Sequence, residues 1–279
     1  MKQWIKSILP PILLNKILLI KTIFRNINYN KTIDKKYNNR LKNIHLKDRC
    51  FIIGTGPSIK KQDLKLLKDE IVIGVSGLFQ HQDIDIINPH YYVLPPVFRG
   101  HGHLYDEDNF ISWFYNMDKS LNNDTVMVLD IGDKKYIEKH ELFKNKKIIW
   151  KNYILWNQDR KINTIDILSM PSIWSVSESA IQIAIYLGFK EIYILGFDHS
   201  WYDDIWEHFT DDYMKDFEEY KLNECKEWVD SEHEMIRHAK IFNKYKKLYA
   251  LKQNIYNANA NQNSYVDTFP KVKYEDLFK

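Results

Sequence analysis

Residues 175–198 read SVSESAIQIAIYLGFKEIYILGFD, and the fold class follows from this stretch. Ser175 and Glu178 stand at the S-x-x-E spacing of a capping box, in which a serine oxygen and a carboxylate each take a backbone N–H at a helix start. Ala180, Ile181, Ile183, Ala184 and Leu187 then supply the buried face of a helix. Gly188 suits the left-handed position just past a helix end. Glu191–Leu195 is a short apolar run of β-forming residues, and Gly196-Phe197-Asp198 closes it with a turn and a carboxylate. A capped helix leading into a buried strand is the crossover unit of an α/β protein with a parallel sheet.

Working outward, Arg49-Cys50-Phe51-Ile52-Ile53-Gly54 is another buried strand, followed by the turn Thr55-Gly56-Pro57-Ser58. Further strands are expected at Glu70–Val75, ending in Ser76-Gly77, and at His90–Leu94, Val126–Leu129 and Lys147–Trp150. The Lys- and Leu-rich stretch from Pro57 to Asp69 predicts a helix with proline at its first position. Gly54 and Gly56 would let the chain turn tightly beside a ligand, and free N–H groups at the helix start would face an anion. The third glycine of a dinucleotide fingerprint is missing and no Gly-Lys-Ser/Thr occurs, so neither a standard Rossmann fingerprint nor a Walker loop is present. In an open parallel sheet the ligand crevice lies at the carboxyl ends of the strands. That rule collects Gly54, Thr55, Gly56, Ser58, Ser76 and Asp198 as candidate nucleotide-binding residues, and the capped helix start adds Ser175 and Ser177.

The chain has 279 residues, 44% of them hydrophobic, enough for one large domain. Lys+Arg 40 against Asp+Glu 37 leaves a net charge of +3, too small to indicate nucleic acid. Cys50 and Cys225 fit no zinc, redox or disulfide spacing, which suits a reducing cytoplasm.

Residues 1–29 differ from the rest. Lys2, Lys6, Lys16, Lys21 and Arg25 interrupt a strongly apolar stretch, and no acid appears before Asp34. The interruptions and Pro10-Pro11 rule out a spanning helix. Leu13–Phe24 reads as an amphipathic helix in the interface of an anionic bilayer, or alternatively packed on the domain. The expected layout is therefore a membrane-surface segment at 1–29, a tether at 30–48, and a catalytic domain at 49–279. The aromatic and acidic stretch 199–234 suits a lid over the site, and equally a homo-oligomer contact. Asparagines 257, 259, 261 and 263 with Ser264 stand at the end of a last strand, where amides could meet a base or sugar.

Together these segments resemble the bacterial lipooligosaccharide sialyltransferases and a wider group with them. That group takes in 6-hydroxymethylpterin pyrophosphokinase-like domains and flagellin nonulosonate transferases. The resemblance is carried by Ile53–Ser58, by Ala184–Tyr193 with Gly196-Phe197-Asp198, and by Ile255-Tyr256-Asn257 with Phe269-Pro270. It implies a Rossmann-like sheet of modified GT-A type with a small lid subdomain. The implied activity is inverting transfer of a CMP-activated nonulosonic sugar, such as sialic acid, to a glycan or glycolipid acceptor of lipopolysaccharide or capsule. By the same resemblance turnover needs no metal or other cofactor, and the base is a histidine after the lid: His233, with His238 as the alternative. The chain departs from the sialyltransferases at Thr55, Ser76 and Pro95, where they carry asparagine, and at Ile173, where they carry arginine.

An inverting transfer needs one base near neutral pKa, which suits histidine. A single leaving phosphate can be held by helix N–H groups and hydroxyls, with Ser175, Ser177 and Tyr202 the candidates. A nucleotide-diphosphate sugar would instead call for a divalent metal, and Asp203-Asp204 or Asp211-Asp212 could hold one. Two further readings stand beside these: a pyrophosphokinase-like enzyme using ATP, and a non-catalytic membrane adaptor. The expected location is the cytoplasmic face of the inner membrane, peripherally attached.

Overall fold

The structure, a computed structural model, describes residues 35–97, 107–154, 161–199, 231–260, 264 and 266–279, with isolated positions 13, 20, 24 and 27. Seven parallel strands form its central sheet: β1 (Arg49–Ile53), β2 (Ile71–Val75), β3 (Tyr91–Val93), β4 (Val126–Asp130), β5 (Ile148–Lys151), β8 (Glu191–Leu195) and β9 (Ile255–Asn257). Their spatial order is β5-β4-β3-β2-β1-β8-β9. A separate parallel pair joins β6 (Tyr153–Ile154) to β7 (Met170–Pro171). The six strands expected between residues 49 and 195 are present within about a residue of their predicted bounds.

Alternation along each strand divides the core between two faces. Cys50, Ile52, Ile73, Val75, Val93, Ile192 and Ile194 point to one face. There they meet α5 (Val176–Leu187) and the long α6 (Ser231–Leu251), which contributes Ile241, Tyr245 and Leu248. Phe51, Ile53, Val72, Tyr92, Met127 and Leu195 point to the other. That face is covered by Ile59, Leu64 and Leu67 and by α3 (Glu107–Ser120) through Phe114 and Met117. Burial on both faces explains why the strands read as unbroken apolar runs.

Between residues 35 and 154 the other described helices are short: α1 (Lys35–Leu41), α2 (Ile84–Ile87) and α4 (Lys134–Lys139). The helix expected over Pro57–Asp69 is instead two 3₁₀ turns, Pro57–Lys61 and Leu64–Leu67. Gln62 between them is extended, and the Asp63 side chain caps the second turn by accepting from the Lys65 N–H. A side-chain acceptor of this kind competes with continuous helix.

The capping box at α5 forms as expected. Ser175 Oγ accepts from Ser177 N–H at 3.3 Å, and Glu178 Oε2 accepts from the N–H groups of Trp174 and Ser175 at 2.6 Å. Gly188 ends the helix at φ +86°. Residues 35–48, expected within a tether, are docked instead on this helix end. Asn43 and His45 donate N–H groups to Tyr186 O and Leu187 O, the Tyr186 hydroxyl donates to Asn38 O, and His45 stacks on Phe189. Leu13, Ile20, Phe24 and Ile27 are helical and exposed. No helix among the described residues is long and apolar enough to cross a membrane.

A Cβ on Gly188 would sit 2.6 Å from the Asn43 Cα, in a left-handed conformation already costly for other residues. Gly188→Ala should therefore lower unfolding stability by about 2–3 kcal/mol, read from the urea midpoint at constant m-value.

Candidate functional site

At the carboxyl edge of the sheet two turns press together. β1 and β8 are neighbours, and the chain leaves them toward opposite ends of the sheet, to β2 on one side and β9 on the other. Such a switch point is where open α/β sheets form their crevice. Gly54 N–H donates to Leu195 O at 2.7 Å and Gly56 N–H to Gly196 O at 2.9 Å. Ser58 N–H donates to Asp198 Oδ2, also at 2.9 Å. A Cβ on Gly54 would lie 2.4 Å from the Phe197 ring, and one on Gly56 2.4 Å from Asp198 Oδ2. The two glycines thus exist to admit the β8 turn. Of the N–H groups expected to face an anion after Pro57, Ser58 N–H is spent on Asp198 and Ile59 N–H on Gly56 O, which corrects the phosphate-cradle expectation for this turn.

What the turn offers instead is an acceptor. Asp198 is buried, and its Oδ1 has no hydrogen-bond partner among the described residues. Burial pushes its pKa up, against the pull of Ser58 and Lys61. Thr55 beside it is half-buried. Ser76, at the end of β2, holds a left-handed φ of +48°. Its carbonyl accepts from the buried Tyr92 hydroxyl, which in turn accepts from Phe79 N–H, both at 2.8 Å. A strained non-glycine residue at a strand end is a common feature of functional edges.

The asparagines after β9 act on backbone. Asn259 accepts from Phe197 N–H at 3.2 Å and donates to Phe197 O at 3.0 Å, while Ser264 Oγ donates to the Phe197 and Asp198 carbonyls. Asn257 donates to Val266 O and accepts from Asn259 N–H. These side chains hold Asp198 in place, where the sequence suggested base or sugar recognition. Asn261 and Asn263 lie outside the described residues.

The start of α5 shares this edge. Ser177 Oγ accepts from the Tyr245 hydroxyl at 2.6 Å and donates to Ser175 Oγ at 2.8 Å. Tyr245 Oη meets His199 Nε2 at 2.9 Å, and His199 directly follows Asp198. Gly54–Ser58 and the Ser175 helix start are therefore joined through Asp198, His199 and Tyr245. His199 was not among the candidates. Its only sequence signal is its place after Gly-Phe-Asp, because Tyr245 and Ser177 are far away in the chain. The imidazole, half-buried and packed against His238, Phe242 and Tyr245, has a pKa pushed down to about 3, chiefly by desolvation and then by His238 and Arg237.

Of the expected bases, His238 is fully buried on α6 with its ring edge-on to His199. His233 falls in the first turn of α6. Its side chain lies outside the described residues, as do Tyr202, both aspartate pairs and residues 200–230 of the expected lid. No cluster of metal-binding side chains occurs among the described residues. Lys151, also missed, is fully buried at the ends of β3–β5 and donates to Leu94 O and Val128 O. Burial lowers its pKa to about 7, against Asp130 and Asp133. A shallow depression between Ile84–Pro89 and Lys119–Asn122 lies at the opposite, amino edge of the sheet.

The fold defines a parallel α/β protein whose sheet changes direction between β1 and β8, the position at which open α/β sheets take their ligands. The profile of the family described as 6-hydroxymethylpterin diphosphokinase MptE-like matches residues 21–204, and the chain belongs to this family. No curated protein matches it. Among solved structures it is similar to the sialyltransferase CstII of Campylobacter jejuni, in complex with the substrate analogue cytidine-5′-monophosphate. The identity is 14% over 82% of this chain and 85% of that one, with a TM-score of 0.45.

Glu178 supplies a direct test of the α5 cap. Desolvation raises its pKa to about 7, opposed by the Trp174 and Ser175 N–H groups and by Lys244 and Arg237. A carboxyl raised above its unfolded value of about 4.5 stabilises the fold most when protonated, and that contribution is lost as pH climbs to about 7. Urea unfolding across pH 4–8 should show Glu178→Gln gaining on wild type as pH rises through this window. A constant difference between the two would contradict it.

Proposed function

We propose that this chain is a glycosyltransferase that binds a nucleotide-sugar donor across the β1/β8 crevice. The observation that carries the reading is the polarity of the edge. The β8 turn holds a buried acceptor, Asp198 Oδ1, without a hydrogen-bond partner among the described residues and suited to ribose hydroxyls or a base amine. The start of a twelve-residue helix presents a positive dipole end and the Ser175 hydroxyl proton, both suited to a phosphate. Ser177 supports Ser175 by giving it an N–H and a hydroxyl proton. The donor's nucleoside then lies over Gly54–Ser58 and Asp198, and its phosphate at α5.

A CMP-activated nonulosonic acid is the donor we favour. Its leaving group carries one phosphate, which a helix start and hydroxyls can stabilise. Support comes from the motif at 184–198, continuous in sequence with the site. Transfer would invert the anomeric centre, with His233 as the base that takes the proton of a surface-glycan hydroxyl. Tyr202 is proposed to assist at the phosphate. Family membership favours a second reading, diphosphate transfer from ATP with Mg²⁺, in the sense of the family's description. Thermal shift against CMP, UDP, GDP and ATP, each with and without Mg²⁺, separates the two. CMP at 100 times its Kd should raise the melting temperature by about 5–10 °C without metal. A shift with ATP and Mg²⁺ alone would favour the second reading, and no shift with any nucleotide would overturn both.

Residues 1–29 are proposed to hold the enzyme on the cytoplasmic face of the inner membrane. Leu13, Ile20, Phe24 and Ile27 are exposed, and their helical spacing keeps them on one side. Five basic residues and no acid accompany them in the sequence, as anionic lipid requires. The full chain should sediment with vesicles containing phosphatidylglycerol and stay in the supernatant with neutral ones. Equal behaviour with both would contradict electrostatic attachment.

A further inference from the structure

The hydroxyl chain at α5 has a direction, and one residue sets it. Ser175 Oγ accepts twice, from Ser177 N–H and from Ser177 Oγ. With both lone pairs engaged, its remaining capacity is to donate its own proton. Ser177 spends its proton on Ser175 and so accepts from Tyr245. Tyr245 has one proton, given to Ser177, so its oxygen must accept from His199 Nε2. His199 is thereby fixed as the Nε2–H tautomer. A protonated ring would keep the same donor but add a charge that its packing against His238, Phe242 and Tyr245 resists. The backbone of His199 is held at φ +49°, a conformation costly for a residue with a side chain. Packing, and not local preference, therefore keeps the ring at Tyr245.

We propose that His199 is a positioning residue which, through Tyr245 and Ser177, sets the direction of this hydroxyl chain so that Ser175 faces the nucleotide phosphate as a donor. The proposal rests on the nucleotide reading above. It assigns His199 no proton transfer: it acts as a fixed neutral donor, matching a ring whose pKa lies near 3. Were the chain reversed, Ser175 would present a lone pair to the phosphate and repel it.

Calorimetry with CMP and with cytidine tests this, because only CMP carries the group that Ser175 would meet. Wild type should bind CMP more tightly than cytidine. In His199→Phe and in Tyr245→Phe, CMP should weaken by about tenfold while cytidine is unchanged. His199→Gln, whose amide can donate from nearly the same place, should restore CMP to within about threefold of wild type. Any change in CMP affinity between pH 5 and 8 should follow the phosphate and Glu178, and should be the same in wild type and His199→Gln. If His199→Phe fails to fold, Tyr245→Phe carries the same comparison. Unchanged CMP binding in the variants would overturn the proposal and leave the nucleotide reading standing. Equal loss of CMP and cytidine would also overturn it, as a merely structural role. Wild type binding neither ligand would remove the nucleotide reading and this proposal together.

Discussion

The site depends on one contact, the packing of the β1 turn into the β8 turn. Gly54 and Gly56 leave no room for a side chain between themselves and Gly196–Asp198, and three N–H groups of one turn are taken up by the other. The contact makes the switch point a single rigid lip. It also brings a carboxylate to a place where nucleotide-binding folds more often present free N–H groups. In the proposed reading, anion recognition falls instead to the start of α5.

Two layers of support surround this lip. From below, Asn259 and Ser264 hold the Phe197 and Asp198 backbone with side-chain hydrogen bonds, as a further strand would with its ladder. From the side, α6 contributes Tyr245, which reaches both the residue after Asp198 and the cap of α5. Buried polar groups of this kind are costly unless paired, and their pairing here fixes how the helices sit on the sheet edge. The strained backbones of Ser76 and His199 mark the same edge.

The sheet was legible in sequence because its signals are local. Apolar runs ending in glycine or serine, a capping box at Ser175 and Glu178, and Gly188 after the helix each follow from chemistry within a few residues. The reading of Pro57–Asp69 as a helix failed because lysine and leucine suit both a helix and two tight turns, and the Asp63 cap decides between them. The purpose of Gly54 and Gly56 was not legible either. Their partner is a strand some 140 residues later, and a Gly-x-Gly turn looks alike whether it receives a phosphate or another turn. His199 stayed hidden for the same reason, since neither Tyr245 nor Ser177 is near it in the chain. Tertiary packing sets all three, and a single sequence does not display it.

The open question at this edge is where a nucleotide sits and which way round. A crystal structure of the chain with CMP decides this. The prediction is a ribose or base within hydrogen-bonding distance of Asp198 and a phosphate at the Ser175 hydroxyl, at the start of α5. A phosphate bound at Gly54–Ser58 instead, or CMP bound anywhere away from the β1/β8 edge, would contradict it.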